Sequence, residues 1–442
     1  MWVKRIEVVD FRNYAHAAVE LDSGLNLFLG SNAQGKTNLL EAVYVASAGR
    51  SYRASRDADM IRWGQPLFRI VAHVQRAPEE VKLEVGISSA GRRFARVDGT
   101  QRIRGHELAN YLNVVMFTPD DLSLVKGSPS ERRRFLDLEI SQVSPAYRSW
   151  LDTYSKAMAQ RNALLKQISA FGPNPGRGAS NRYMDLLDAW DEQLVQAGAR
   201  IILRRAHVVA DLSARARTAH HGIAGDEAEL SMIYCPSVQV TIGGDNRAEP
   251  LLVDEVAQAF RSRLCELRKA EIIRGVTLAG PHRDDIRFEL DGVDMAGFGS
   301  QGQQRSTVLA VKLAEVEFIA ERAGQRPVLL LDDVLSELDG GRRIRLMDLV
   351  ETGCQALITS VEPGCIGLMP QGAKVFNISS GEVSSCGAST IRRAEGVHVE
   401  TGLHHSAERL PCDSYVERGN RPEIEGDVAG DDDAGSDSVC DG

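Results

Sequence analysis

The 442-residue chain has no run of eighteen or more apolar residues, which excludes a typical membrane-spanning helix. Its seven cysteines are scattered and include no C-x-x-C pair, so a zinc site is not expected and a reducing compartment is favoured. The first eleven residues, MWVKRIEVVDF, lack the profile of a signal peptide and predict a β-strand. We therefore expect a cytoplasmic protein with no membrane partner.

Positive charge does not dominate the chain, because 52 basic residues face 61 acidic ones and the net charge is −9. The excess of acidic residues is concentrated at the C-terminus, since residues 401–442 contain eleven Asp or Glu and only three Arg. The body of the chain is therefore close to neutral and has room for a basic face. From residue 385 onward Ser, Gly, Asp and Glu dominate without periodicity, which predicts a disordered acidic tail over 385–442. The tail is either a solvated segment or a DNA-mimicking segment that competes for that basic face.

A glycine-containing segment near the start is the first functional motif. It follows an apolar strand, 25–29, and leads into a predicted helix, 36–48. The segment fits the phosphate-loop pattern at every defined position and comprises Gly30, Ser31, Asn32, Ala33, Gln34, Gly35, Lys36 and Thr37. In such a loop, backbone N–H groups face phosphate oxygens, Lys36 reaches the terminal phosphates and the Thr37 hydroxyl holds Mg²⁺. The pattern predicts a site for ATP and Mg²⁺.

A second apolar strand, 328–331, ends in two carboxylates. A carboxylate at the end of such a strand is placed to bind Mg²⁺, and we assign this role to Asp332. Asp333 would polarise the attacking water, as a general base or a positioning group. An acidic turn at a strand end is the simpler alternative, but the phosphate loop elsewhere in the chain favours the catalytic interpretation.

The third motif precedes that strand and opens a helix with Ser300, Gln301, Gly302 and Gln303. Ser300 is a good N-cap, and the free N–H groups behind it form a second anion site. Because the phosphate loop already holds the phosphates from one side, a second anion site predicts a composite site closed by two subunits. The alternative is an ordinary serine-capped core helix.

With these motifs the chain resembles the ABC-type ATPases of the SMC and Rad-fifty class, and in detail the RecF family of bacterial recombinational repair proteins. The resemblance spans about residues 1–385. Besides SQGQQR at 300–305, it rests on IEVVDFRNY at 6–14, FTPDDLSLVKGSPSERRRFLD at 117–137, AGPHRDD at 279–285 and DDVLSELD at 332–339.

The resemblance implies an α/β ABC-ATPase-like head that dimerises on ATP. Ser300 of one subunit would contact the γ-phosphate held by Lys36 of the other, with Asp339 across the same interface. Ordinary ABC ATPases have Glu where this chain has Asp333, and the shorter side chain predicts slow hydrolysis, suited to a switch. They also often have His where Thr359 or Ser360 stands here, and the sequence does not place their Q-loop glutamine.

Periodicity divides the chain into four parts. Strands are predicted at 2–10, 25–29, 67–75, 81–87, 93–98 and 113–117. Helical spacing follows over 130–215, broken at 172–180, and then come a strand at 227–242 and a helix at 249–274. The predicted domains are an N-terminal half of the head (1–130), a mainly helical insert (131–275), a C-terminal half of the head (276–384) and the tail.

Clusters of arginine are the candidates for DNA contact, since arginine binds phosphates without sequence preference. We expect Arg50, Arg53 and Arg56 to be contacts because they follow directly on the phosphate-loop helix. Further clusters are Arg92, Arg93 and Arg96; Arg102 and Arg104; Arg132, Arg133 and Arg134; and Arg204 and Arg205. Each cluster is otherwise a solvated face or a set of ion-pair partners.

Together these features predict a weak ATPase whose ATP-driven homodimer binds duplex DNA beside single-stranded gaps. The resemblance implies partnership with RecO and RecR in loading the RecA recombinase, at the nucleoid. An SMC-like chromosome-organising ATPase is the main alternative, but the helical insert is short and no hinge region is present. A transporter subunit does not fit motifs so far apart, and a small-molecule kinase leaves SQGQQR unexplained.

Overall fold

The computed structural model describes residues 1–54, 56–170, 177–224, 228–240, 249–338, 340–351, 353–361 and 372–385. Asp339 and the predicted acidic tail from 386 onward lie outside the described residues.

The strands of the described residues are β1 (Trp2–Phe11), β2 (Tyr14–Glu20), β3 (Leu25–Leu29), β4 (Leu67–Arg76), β5 (Glu79–Ser88), β6 (Arg93–Val97), β7 (Gln101–Ile103), β8 (Val114–Phe117), β9 (Leu230–Cys235), β10 (Asp285–Leu290), β11 (Val293–Asp294), β12 (Val328–Asp332), β13 (Ala356–Ser360), β14 (Lys374–Ser379) and β15 (Glu382–Ser385). The α-helices are α1 (Lys36–Ala48), α2 (Ser123–Lys126), α3 (Pro129–Val143), α4 (Pro145–Ala170), α5 (Arg177–Ala224), α6 (Glu249–Arg274), α7 (Gln301–Ala323) and α8 (Gly340–Glu351).

These strands build three sheets. An antiparallel sheet has the order β2-β1-β4-β5-β6-β7, and its strands all come from the first hundred residues or so of the chain. A central sheet has the order β15-β14-β3-β13-β12-β8 and is parallel except for the β14–β15 hairpin. A small sheet, β11-β10-β9, joins the predicted helical insert to the predicted C-terminal half of the head. The division into domains at 275 stays a prediction.

The central sheet separates two hydrophobic cores. Along β12, Val328 and Leu330 pack in the core shared with α1 and the antiparallel sheet, while Leu329 and Leu331 pack in the core shared with the helices. Successive side chains of a strand point to opposite faces, so a strand buried on both faces is continuously apolar. This explains the uninterrupted VLLL run that precedes Asp332.

The helical part consists mainly of α3 to α6, and α5 packs against α4, α6 and α7. At 48 residues α5 is about 72 Å long, from 1.5 Å per residue, and it begins inside the predicted break at 172–180. Within the described parts of the chain, no helix combines the length and apolar character needed to cross a bilayer.

The secondary-structure prediction is confirmed within two residues for β1, β3, β4, β5, β6 and β8 and at both ends of α1 and α6. It missed β2, β7 and the β14–β15 hairpin, and the predicted strand at 227–242 is confined to β9. His16 and Glu20 in β2 are exposed polar residues, and Arg5 and Glu7 beside them in β1 are half-buried. This edge of the sheet therefore gives little apolar signal in the sequence.

Candidate nucleotide site

The phosphate loop connects β3 to α1, and glycines at both of its ends are required by close contacts. Gly35, the N-cap of α1, has φ 118°, and a Cβ there would lie 2.7 Å from Asn13 Nδ2. A Cβ on Gly30 would lie 2.4 Å from the carbonyl oxygen of Ile378 in β14. The tight turn therefore ends at the N-terminus of α1, where the first backbone N–H groups have no partner within the helix.

Lys36 is buried, with 4% of its surface exposed. Its Nζ donates to the carbonyl oxygens of Gly30, at 2.8 Å, and of Ser31, at 3.2 Å. The ammonium group is therefore held by the loop itself, at the place where the loop would enclose phosphate oxygens. Charge and loop geometry together make an anion site.

Thr37 lies against the acidic strand, 295 residues away in sequence. Its hydroxyl donates to Oδ1 of Asp332 at 2.8 Å, and the hydroxyl of Thr359 donates to the same oxygen at 2.8 Å. The Thr359 oxygen also accepts from the backbone N–H of Asp333 at 2.9 Å. A hydroxyl and a carboxylate side by side are hard oxygen donors, which Mg²⁺ prefers, so the residues fit this ion.

The parallel register of the central sheet produces this cluster. β13 lies between β3 and β12, and Thr359 pairs with Phe28 on one side and with Asp332 on the other. Because the carboxyl ends of parallel strands lie at one edge, all three strands deliver their last residues to the phosphate loop. Asp333 then turns away from the strand with φ 52°, a left-handed conformation uncommon outside glycine.

The pKa of Asp332 is raised, chiefly because burial disfavours its charged form. Hydrogen bonds from Thr359 and Thr37 lower it, and the neighbouring charge of Asp333 raises it further. A bound cation would favour the ionised carboxylate, so cation binding and deprotonation of Asp332 are linked.

Two segments distant in sequence support the phosphate loop from behind. The Asn13 amide donates to the Gln34 carbonyl at 3.0 Å, and the Tyr14 hydroxyl donates to the Gly35 carbonyl at 2.9 Å. From the β14–β15 turn, the backbone N–H of Ser380 donates to the Gln34 side chain at 2.6 Å. The side chain and carbonyl of Gln34 thus hold the loop in place, a role that the phosphate-loop pattern alone does not indicate.

Glu41 in α1 is completely buried and carries a charge network that sequence reasoning missed. Its carboxylate accepts from Arg12 Nε and Nη2, at 2.8 and 2.6 Å, and from Arg53 Nη2 at 2.7 Å. Burial alone would raise the pKa of Glu41, but hydrogen bonds from Arg12, Arg53 and Ser51 outweigh burial and hold the pKa below its ordinary value. The network joins the β1–β2 turn and the segment after α1 to the phosphate-loop helix.

Ser300 caps α7, as the sequence predicts. The backbone N–H of Gln303 donates to Ser300 Oγ at 3.2 Å, and the backbone N–H of Ser300 donates to Gln303 Oε1 at 2.9 Å, which completes a capping box. A Cβ on Gly302 would be in ordinary van der Waals contact with Arg342 Nη2, at 3.8 Å. Arg342 of α8 donates to the Gly302 carbonyl at 3.1 Å and to Ser306 Oγ at 2.7 Å, and so holds the helix start.

The three arginines selected for DNA contact have different surroundings. Arg53 is engaged by Glu41, whereas Arg56 is 82% exposed and pairs with Asp59 at 3.2 Å. Arg50 is partly buried at the end of α1, and its pKa is lowered by burial and by Arg148 and Arg134. The assignment of these three residues to DNA stays a prediction.

Comparison with known proteins gives consistent results. Residues 2–384 match the model of the RecF/RecN/SMC N terminal domain family. The DNA replication and repair protein RecF of Geobacillus thermodenitrificans is 40% identical over 386 residues, 87% of this chain and 100% of the relative. The protein of the same description from Bacillus subtilis is 39% identical over 360 residues, 81% of this chain and 93% of the relative.

A solved structure of the recombination mediator protein RecF-ATP in the RecFOR pathway superimposes with a TM-score of 0.76 at 32% identity. The match covers 87% of this chain and 98% of that structure. The fold is therefore that of an ABC-type ATPase head, as the sequence predicts.

Proposed function

This chain belongs to the RecF family of DNA replication and repair proteins, and we propose that it works as an ATP-controlled dimeric clamp on DNA. Membership supports ATP binding and a repair role. The observation that carries the proposal is the hydrogen bond of 2.8 Å between Thr37 and Asp332, which joins the phosphate loop to the acidic strand.

ATP would bind with its phosphates in the loop 30–37 and with Lys36 beside the terminal phosphates. Mg²⁺ would bind at Thr37 and Asp332, where it would neutralise phosphate charge. Asp333 would position the attacking water. Its left-handed backbone, fixed by the hydrogen bond to Thr359, sets the direction of its side chain. The short side chain holds water less closely than a glutamate, so hydrolysis is slow and acts as a timer for release.

Closure of the site requires a second subunit in this proposal. The capping box at Ser300 and the absence of a side chain at Gly302 leave a helix start that can approach a phosphate closely. Ser300, Gln301, Gly302 and Gln303 of one subunit would contact the γ-phosphate held by the other, with Asp339 at the same interface.

The dimer would bind duplex DNA next to a single-stranded gap and act with RecO and RecR to assist the loading of RecA. The relative solved in the RecFOR pathway supports this assignment. ATP binding would close the dimer on DNA, and hydrolysis would open it.

Light scattering on an Asp333→Asn form tests the closure. The molar mass should double on adding ATP and Mg²⁺, because ATP is bound but not hydrolysed. Ser300→Arg should bind ATP and stay monomeric, since a long cation would occupy the position meant for phosphate. Ser89→Arg adds the same charge in the exposed turn between β5 and β6 and should still dimerise. The proposal is contradicted if the molar mass does not change on adding ATP, or if the Ser300→Arg variant still dimerises with ATP.

A further inference from the structure

A cleft of about 410 Å³, separate from the phosphate loop, lies between the end of α1, the helices α3 to α5 and residues 281–282. Five arginines line it, namely Arg50, Arg133, Arg134, Arg148 and Arg205. They come from four separate parts of the sequence, and the fold brings them together.

The carboxylates in the cleft do not balance these charges. Asp137 is committed to Arg205, the buried arginine of the cleft, at 2.7 Å. Asp152 faces Arg148 Nε at 3.6 Å, a long contact. His282 is neutral near pH 7, since burial lowers its pKa to about 4, so it adds no positive charge to that of the five arginines. Asp284, just outside the cleft lining, also contacts Arg205 at 3.5 Å. Five guanidinium groups therefore face three carboxylates, and two of these three are engaged by Arg205 alone.

The remaining three arginines have no carboxylate of their own. Arg133 donates to the backbone carbonyl of Asp284 at 2.8 Å, and Arg134 donates to the backbone carbonyl of Tyr52. Arg50 makes neither a hydrogen bond nor an ion pair with any part of the chain that the structure describes. A partly buried guanidinium group without a partner is costly, and an anion that enters the cleft removes that cost.

We propose that this cleft binds a phosphate group, supplied by a nucleic acid backbone or by a free phosphate compound. Arginine forks match the oxygens of a phosphate geometrically, and several forks converging on one space favour an anion with several acceptor oxygens over a single carboxylate. The exposed Arg134 stands at the rim and the buried Arg205 lies deeper, so charge draws the anion inward.

The cleft is also connected to the ATP site. Arg50 directly follows Gly49, the left-handed C-cap of the helix that begins at Lys36. Arg134 binds the carbonyl of Tyr52, next to Arg53 of the Glu41 network. A phosphate held in the cleft thus contacts the chain segment that ends the phosphate-loop helix. The backbone source of the phosphate rests on the DNA-binding function proposed above, whereas the free source does not.

The test uses the full chain with a slowly hydrolysed ATP analogue and a fluorescent duplex, titrated over a range of salt concentrations. Arg50→Gln combined with Arg134→Gln should raise Kd about tenfold and lower the salt slope by about 0.9 for each phosphate lost. Arg50→Lys on an otherwise unchanged chain should retain most of the slope. Arg217→Gln is the matched control, because Arg217 is exposed, lies outside the cleft and belongs to none of the arginine clusters considered for DNA. It should leave both Kd and the salt slope nearly unchanged. The melting temperature should not fall, because the removed charges repel one another.

A second arm separates the two sources. Inorganic pyrophosphate is titrated calorimetrically into Lys36→Ala, in which the phosphate loop is disabled, and into Lys36→Ala with both cleft substitutions. If binding heat is seen with Lys36→Ala but not with Lys36→Ala carrying both cleft substitutions, the cleft is a phosphate site. This conclusion holds even if the unaltered protein binds no duplex, because that result would contradict only the proposed DNA function. The proposal is refuted if two results are found together. The first is an unchanged salt slope for duplex binding by the variant with Arg50→Gln and Arg134→Gln, and the second is equal heat of pyrophosphate binding in the two Lys36→Ala proteins.

Discussion

Replacing Glu41 by Gln should destabilise the protein although the change adds or removes no bulk. The buried carboxylate accepts two hydrogen bonds from Arg12 and one from Arg53. Glutamine offers a single acceptor oxygen and turns an NH₂ group toward a guanidinium group, so both arginines lose their counter-charge.

The magnitude follows from the exposure of the partners. Breaking a buried pair by removing one charge costs about 3–5 kcal/mol. Arg12 is 19% exposed and retains most of that cost, whereas Arg53 is 37% exposed and its share is discounted toward the small value of a surface pair. We expect the low end, about 3 kcal/mol. With an unfolding entropy of about 2.1 cal/mol/K per residue over the described residues, this lowers Tm by roughly 4 °C.

The effect should depend on pH with a definite sign. The pKa of Glu41 is held below its ordinary value of 4.5, so the folded state favours the ionised form. Its stabilisation is therefore complete above that ordinary value and is lost as the pH falls through the folded value. The difference in Tm between the unaltered protein and Glu41→Gln should be full at pH 7 and should shrink below about pH 4.5.

Thermal unfolding followed by circular dichroism measures both effects. Glu192→Gln is the matched control, because Glu192 also accepts two hydrogen bonds from one arginine, Arg261, but is 52% exposed. Its loss should lower Tm by about 1 °C or less, as for a surface pair. If Glu41→Gln costs no more than Glu192→Gln, or if its cost does not change with pH, the buried charge network does not stabilise the fold as argued.

Two further changes examine the nucleotide site. Gly35→Ala should weaken ATP binding by more than about tenfold, because the residue has φ 118° and its Cβ would lie 2.7 Å from Asn13, whereas Gly24→Ala, with open space around its Cβ, should bind ATP normally; equal affinities in a nucleotide titration would show that the loop adapts. Thr359→Val should lower single-turnover hydrolysis about tenfold, because the Asp333 N–H loses its acceptor and the Asp332 carboxylate loses a donor. Thr359→Ser keeps the hydroxyl and should keep the rate; unchanged hydrolysis in Thr359→Val would remove this residue from the mechanism.

Sequence reasoning reached the parts of the fold that follow from local pattern. Both ends of α1 were predicted, and β3, β8 and β12 of the central sheet were predicted from apolar runs. The sequence assigned Thr37 and Asp332 to one Mg²⁺ site from the two motifs, and the structure brings the two side chains into hydrogen-bond contact. Such features need only short stretches of chain and general rules.

What sequence reasoning missed depends on long-range packing. The ion pair of Arg53 with Glu41 was missed, because Glu41 looks in the sequence like any other polar position of a helix. The assignment of Arg53 to DNA stays a prediction. Arg148 belongs to no arginine cluster in the sequence but lies with Arg50 and Arg134 in one cleft. Only the folded chain shows which charges have partners.

The arrangement of strands in the central sheet also bears on how the chain is made. β3 carries the phosphate loop, but the structure pairs it with β13 and β14, which are synthesised more than 300 residues later. The antiparallel sheet, by contrast, draws all its strands from residues 2–103, so its strands are complete early in synthesis. On the ribosome, the antiparallel sheet can therefore form while β3 still lacks its partners β13 and β14. Pairing strands so distant in sequence has a higher entropic cost. An incomplete chain released before residue 356 has the phosphate-loop sequence without the strands that flank it in the sheet, so we expect such a chain to bind ATP poorly.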